Sequence, residues 1–277
     1  MKVHSLIRDQ PWYRRQAFER GVQAAGHTLQ RGYPMEFNED TALLIWNRYA
    51  ENHTLALKVE SAGGKVIVAE NGYLGKGGTS PKFDVHPNGP KPDSYYALSP
   101  GYHNDDTRVM HVGGSERWER LEVALKPYRV HGDYWLVAPN RSFGVEGRMQ
   151  PAGWGINMVA KMKNSPLLLA GCVRLRLHPG ADAPRHPLSE DLSRAIGVLV
   201  WSSTVGVHAL CEGILVSCFA PYWVCKRATI DWVGCHPEAS SVPSQFEAAR
   251  YEALVRMSWM QWTIAEIESG LPFTYLL

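Results

Sequence analysis

Two groups of residues in this sequence have types and spacings that suit chemistry. The first is centred on Glu70, which closes the apolar run KVIVAE and is followed by Asn71 and Gly72. A carboxylate at a rigid strand end beside a glycine turn is placed to take a proton from a hydroxyl or an amine. The plainer alternative is a side chain that only stabilises the turn. His103, in GYHND, is the second candidate base, against the alternative of a surface histidine in a polar turn. The second group lies in the other half of the chain. There Ser202, Ser203 and Thr204 separate the apolar run IGVLVW from VGVHALCEG. Hydroxyls at a helix start, with free backbone amides and the positive dipole end, suit a phosphate. His178, ending CVRLRLH, and Arg174 within it would add charge-assisted donors. The alternative is that the three hydroxyl residues cap the helix and His178 packs.

Several chemistries lack their residues. No GxGxxG follows a strand and no GxxxxGK[ST] occurs, so neither an NAD fingerprint nor a Walker phosphate loop is supported. The five cysteines, Cys172, Cys211, Cys218, Cys225 and Cys235, form no C-x-x-C pair. That points away from a zinc ribbon and from a disulfide framework. Asp105 and Asp106 are adjacent near His103, but neighbours on a strand face opposite sides, and no D-x-D occurs. No metal is expected. No apolar run spans a bilayer and the N-terminus has no signal-peptide core, so a cytoplasmic protein without a membrane partner is expected.

Charge is uneven although the net value is only +2. Residues 1–35 carry six basic side chains, Arg14 and Arg15 among them, against two acids. Residues 141–187 carry seven, including Arg141 and Arg174, against two acids. Such clustering fits an anionic ligand, a nucleotide or a nucleic-acid backbone; the alternative is chance clustering on solvated faces.

The elements that must position these residues read as α/β. TALLIWN, the helical stretch RYAENHTLALKVESAGG and KVIVAENG form a βαβ unit of a parallel sheet. Strand patterns recur at DYWLVAPN, CVRLRLHPG, IGVLVWSST and ILVSCFAP. SERWERLEVAL reads as a helix, and residues 244–270 read as one long helix capped by Ser244 and Glu247. Residues 74–94, with Lys76, Lys82 and Lys91, read as a basic loop, a lid or an arm toward a backbone. The expected architecture is two Rossmann-like lobes. They are residues 1–155 on the acceptor side and 156–243 on the donor or phosphate side, with a C-terminal helix at 244–277 packing back on the first.

Two resemblances sharpen this. Arg176-x-His178-Pro179, Asp191-Leu192, Trp201-Ser202-Ser203 and Ala209-Leu210-Cys211-Glu212-Gly213 resemble the donor-binding half of GT-B glycosyltransferases, especially capsule and teichoic-acid types. The resemblance implies a nucleotide pocket lined by the His-Pro loop, the Ser/Thr turn and Glu212, without a divalent metal. The strings WYRRQAFERGVQAAGH, WNR, VIVAENGYLG, YHND and APNRSFGVEG resemble phage-encoded, glycosyltransferase-like proteins of DNA base hypermodification. That implies a group transferase acting on double-stranded DNA with a hydroxymethylpyrimidine-derived base. The co-substrate would be a nucleotide-sugar or a free amino acid such as glycine. Arg14, Arg15, Tyr73, Asn104 and Trp154 would hold the extruded base or the backbone, and Arg141, Arg174, His178, Ser202, Ser203, Thr204 and Glu212 the donor. A glycosyltransferase acting on a surface glycan is the alternative.

Overall fold

The computed structural model describes residues 1–9, 12–75, 95–108, 113–141, 144–165, 172–178, 186–231 and 244–277, less the side chain of Ser244. The expected lid with Lys76, Lys82 and Lys91, the His-Pro loop beyond His178, Ser142, Cys235 and the Ser244 cap lie outside the described residues. The chain forms two compact units, Met1–Glu122 with Val255–Leu277, and Val123–Leu254.

The first stretch runs β1 (Lys2–Ser5), α1 (Trp12–Ala24), β2 (Thr28–Arg31), β3 (Thr41–Trp46), α2 (Glu51–Ser61), β4 (Lys65–Asn71), β5 (Tyr95–Pro100) and α3 (Glu116–Arg120). β2, β1, β3 and β4 lie side by side and parallel. The continuous apolar runs follow from burial on both faces. Leu44, Ala42, Ile67 and Ala69 face Phe18 and Val22 of α1. Leu43, Ile45, Val66 and Val68 face Leu55, Ala56 and Val59 of α2.

The second stretch runs β6 (Tyr134–Ala138), α4 (Trp154–Lys163), β7 (Val173–Leu175), α5 (Leu188–Ser193), β8 (Ala195–Val200), α6 (Val205–Cys211) and β9 (Leu215–Cys218). Its sheet, ordered β7-β6-β8-β9, is wholly parallel. Trp135, Val137, Ile196 and Leu199 pack on Trp154, Met158 and Met162 of α4. Residues 134–138, expected in the first lobe, are therefore a strand of the second sheet.

The expected single helix over 244–270 is broken. α7 (Ser244–Ser258) ends, β10 (Gln261–Thr263) pairs antiparallel with β5, and α8 (Ile264–Glu268) and α9 (Leu271–Leu276) follow. Two signals explain the break. Thr263 and Glu266 form a reciprocal capping box that starts a new helix. Trp262, 2% exposed, is held in the first unit's core by the strand pairing. α3 likewise stops at Arg120 rather than 125, because Glu122 takes a left-handed conformation at φ 52°.

The parallel strands of both units share one order: the second strand, then the first, third and fourth. The connections leave the first strand in opposite directions. A ligand crevice in such a sheet lies beyond the strands' carboxyl ends at that point, here β1/β3 and β6/β8. Among the described residues no helix is long and apolar enough to cross a membrane.

Candidate functional site

In the second unit, loops after β6 and β8 are tied together at the crossover. Asn140 Oδ1 accepts from the Ser202 amide at 2.9 Å. Asn140 is itself fixed by buried Gln150, whose Oε1 accepts from its amide at 2.8 Å and whose Nε2 donates to its carbonyl at 3.0 Å. Arg141, the next residue, donates from Nε to His178 Nδ1 at 3.2 Å. The expected residues Arg141, His178, Ser202, Ser203 and Thr204 thus all follow carboxyl ends of parallel strands. Burial first, and the Arg141 charge second, hold His178 below the usual imidazole range. His178 is therefore neutral at pH 7, and with Nδ1 accepting, its proton sits on Nε2.

The Ser/Thr turn is less open than expected. The Ser202 amide is used by Asn140, and Ser203 Oγ accepts from Val205 N at 3.3 Å. The Gly206 amide bonds to Ser203 O. Ser203, not Thr204, supplies the side-chain turn bond, because Thr204 is already helical and makes no side-chain cap. Beside the turn, Trp201 Nε1 and the Tyr222 hydroxyl both donate to Arg148 O, and the Arg148 guanidinium lies 4.0 Å above the Tyr222 ring.

Three residues expected to face ligands are placed elsewhere. Glu212 follows the last turn of α6, and seven helical residues rise roughly 10 Å away from the Ser/Thr turn. There it pairs with Lys126 Nζ at 2.6 Å. Arg174 covers the Tyr134 ring at 3.9 Å, at the other end of β6. Trp154 is 7% exposed and edge-on to Trp201 and Phe219, so it is core and offers no face to a base. The motif residues Arg176 and Asp191 form a mostly buried ion pair, with Arg176 also donating to His186 O at 3.0 Å. Their role is to join β7 to α5.

In the first unit, Glu70 stands one residue from the end of β4, opposite Ala97 of β5. β5 then runs back toward the amino end of β4, where Gly101 N donates to Val66 O at 2.7 Å. His103 follows that turn. Glu70 is four strand residues, roughly 13 Å, from Val66, beside which the turn leading to His103 begins. Burial drops His103 to about 4. Its ring stacks on Tyr73, with centroids 5.3 Å apart and planes 5° apart. Tyr73 is fully buried, so it cannot stack a substrate. Asn104, also buried, holds φ 63° in the turn after β5. The room beside Gly72, expected for a substrate, is filled by the chain itself: a Cβ there would meet Tyr95 O at 2.7 Å and Gln261 Oε1 at 2.9 Å.

Several basic residues of the N-terminal cluster are engaged within the chain. Arg15 binds Asp9 at 2.6 Å, Arg20 binds Glu268 at 2.6 Å and Arg31 binds Glu19 at 2.8 Å. Arg14 is buried against Trp46. Lys161 and Lys163 occupy the last turn of α4, where cations offset the helix dipole. Arg141, Lys161, Lys163 and Arg174 of the second cluster stay exposed, and among the described residues of that cluster Arg176 pairs with an acid.

Sequence reasoning missed the Asn140–Gln150 clamp and the Arg148–Tyr222 pair, since neither has a periodic signature. The capping box at Thr263 was legible as T-x-x-E.

No family model matches the sequence, and no curated protein matches it. Solved structures do match. One is Thermosulfurimonas dismutans KpsC, beta Kdo 2,7 transferase, with TM-score 0.55 and 13% identity over 98% of this chain and 98% of that chain. Another is Thermosulfurimonas dismutans KpsC, beta Kdo 2,4 transferase, with TM-score 0.54 and 14% identity over 94% and 91%. At these identities the likeness is one of fold, and this mixed α/β chain with two sheets has a glycosyltransferase-like fold.

Proposed function

We propose that this chain is a GT-B-type glycosyltransferase that moves a sugar from a nucleotide-activated donor to a glycan hydroxyl. The observation that carries the reading is the fold likeness to two Kdo transferases over nearly the whole of each chain. Support comes from the second unit, where Arg141, His178 and the Ser202–Thr204 turn gather at the crossover of a parallel sheet. In this reading that group takes the donor's phosphate-bearing part, and the first unit takes the acceptor.

The acceptor oxygen attacks the anomeric carbon and its proton passes to Glu70. The bond from that carbon to the phosphate oxygen breaks, and the leaving phosphate keeps the electron pair. Arg141 and the neutral Nε2–H of His178 are the donors proposed to meet its charge.

A glycan acceptor is preferred over a DNA base because the fold likeness is to Kdo transferases and because Tyr73 and Trp154, expected to hold an extruded base, are buried. The test is incubation of the full chain with uridine, cytidine and guanosine nucleotide-sugars. Each is offered oligosaccharides or hydroxymethylated duplex DNA, and products are read by mass spectrometry. One added sugar on an oligosaccharide, with nucleotide released, is the expected result. Sugar or glycine found on the duplex would restore the DNA reading, and no turnover of any donor would remove the proposal.

A further inference from the structure

The first unit holds a buried cation for which the described residues supply no ion-pair partner. Arg14 is 8% exposed, and its Nε is buried without a hydrogen-bond partner. Its guanidinium lies over the Trp46 ring, 3.8 Å from Cζ to the centroid. Among the described residues no carboxylate lies within ion-pair distance of it. Glu70, Tyr13 and Tyr96 act on it only at longer range, and burial pulls it below the usual guanidinium value.

The unit's other buried arginines are treated differently. Arg48 holds Glu60 through both terminal nitrogens, at 2.6 and 2.9 Å, and donates to Gly101 O at 2.7 Å. Arg117 grips Glu266 at 3.0 and 3.1 Å and donates to the Ser258 and Gln261 carbonyls. A buried charge without a partner is costly, and chains normally pair it. Arg14 is also at the unfavourable end of its helix. It occupies the first turn of the thirteen-residue α1, which carries no acidic residue there. Burial and the helix dipole both disfavour this cation, and both penalties are relieved by one bound anion.

The surroundings suit such a ligand. α1 begins beyond the carboxyl end of β1, at the crossover with β3, and Trp46 is the last residue of β3. The Tyr13 and Tyr96 hydroxyls meet at 3.4 Å beside it. Trp12, 58% exposed and edge-on to Tyr13, offers an aromatic face of the kind sugars stack on. We propose that Arg14 is the receptor for an anionic group, a carboxylate or a phosphate ester, carried by the sugar that binds the first unit. The term acceptor for that sugar rests on the transferase reading; the anion site does not.

The test uses the full chain with three probes: D-glucuronate, D-glucose 6-phosphate and D-glucose. Binding is followed by nuclear magnetic resonance at the Trp46 indole. At least one anion is expected to shift that signal while glucose does not, and which anion does so identifies the group. Arg14→Met should weaken that anion by about 10- to 100-fold, the loss of a hydrogen bond to a charged group. Its melting temperature should be unchanged or higher, since an unpaired buried charge is removed. Arg14→Lys, which keeps the charge without the fork, should bind with intermediate affinity. Equal binding of glucose and both anions by the natural chain would overturn the inference. So would an Arg14→Met chain that loses stability and keeps its anion affinity. If Arg14→Met does not fold, the Trp46 response of the natural chain and the Arg14→Lys affinity still decide. Anion binding without sugar transfer would leave this site standing and remove only the transferase reading.

Discussion

Glu70, the first candidate base, and His103, the second, part at the level of position. Glu70 is near the carboxyl end of β4, where α/β sheets bind ligands, whereas His103 follows the return of β5 and lies under Tyr73. Glu70→Gln keeps shape and removes basicity, so kcat should fall by about 100-fold or more with donor and acceptor binding little changed. A variant retaining most of its transfer rate in a steady-state assay would take Glu70 out of the mechanism. His103 carries a pH prediction. Its folded value, about 4, lies below the unfolded value near 6.5. Between these values the unfolded chain binds the proton and the folded chain does not. Stability is therefore complete above 6.5 and falls as pH drops toward 4. Burial lowers His27, His53 and His178 too, and they act in the same direction. His103→Gln should flatten the decline in melting temperature between pH 7 and 4, and an unchanged slope would contradict the assignment.

At the scale of elements, the strand pairing of β10 shows how one side chain secures a junction. Gln261 is fully buried, and its Oε1 accepts from the Tyr73 and Leu74 amides as the chain leaves β4. Gln261→Leu fills a similar volume and strands two buried donors, each costing about 1–3 kcal/mol. Chemical denaturation should show a loss of about 2–6 kcal/mol in the first unit's stability. The loss should come without a change in its helical circular dichroism before unfolding. A smaller loss would mean that water or backbone movement takes over the role of the amide oxygen.

At the scale of the whole molecule, the two units differ in how the chain completes them. Val123–Leu254 is continuous and contains all four strands of its sheet. The first unit is discontinuous: Trp259, Trp262, Ile267, Phe273 and Leu276 return to its core after residue 254. Burying a large apolar side chain is worth about 1.5–3 kcal/mol. Losing five of them is comparable to a domain's net stability of about 5–15 kcal/mol. Residues 123–254 expressed alone should therefore unfold cooperatively on heating, and residues 1–122 alone should not fold. A cooperative transition in the shorter N-terminal piece would show that the returning segment is dispensable.

What the sequence by itself determined was local and periodic. The runs TALLIWN, KVIVAENG and IGVLVW are continuous apolar stretches flanked by helices, and a parallel strand buried on both faces has no other simple pattern. The gathering of His178 and the Ser202 turn beyond such strands was legible for the same reason. Tertiary structure alone decided which charges and aromatics remain available. Arg14 and Arg15 are neighbours of one residue type, yet one lies over Trp46 and the other meets Asp9 in a half-exposed ion pair. Trp154 and Trp12 are likewise the same residue, one packed on Phe219 and the other exposed. Glu212 follows the same short helix that the Ser/Thr turn precedes, and the direction of α6 carries it to the opposite end. Residue type and spacing specify which element forms and which face is apolar. Partnership across more than one hundred residues, such as Arg117 with Glu266, depends on chain reversals that no local pattern encodes.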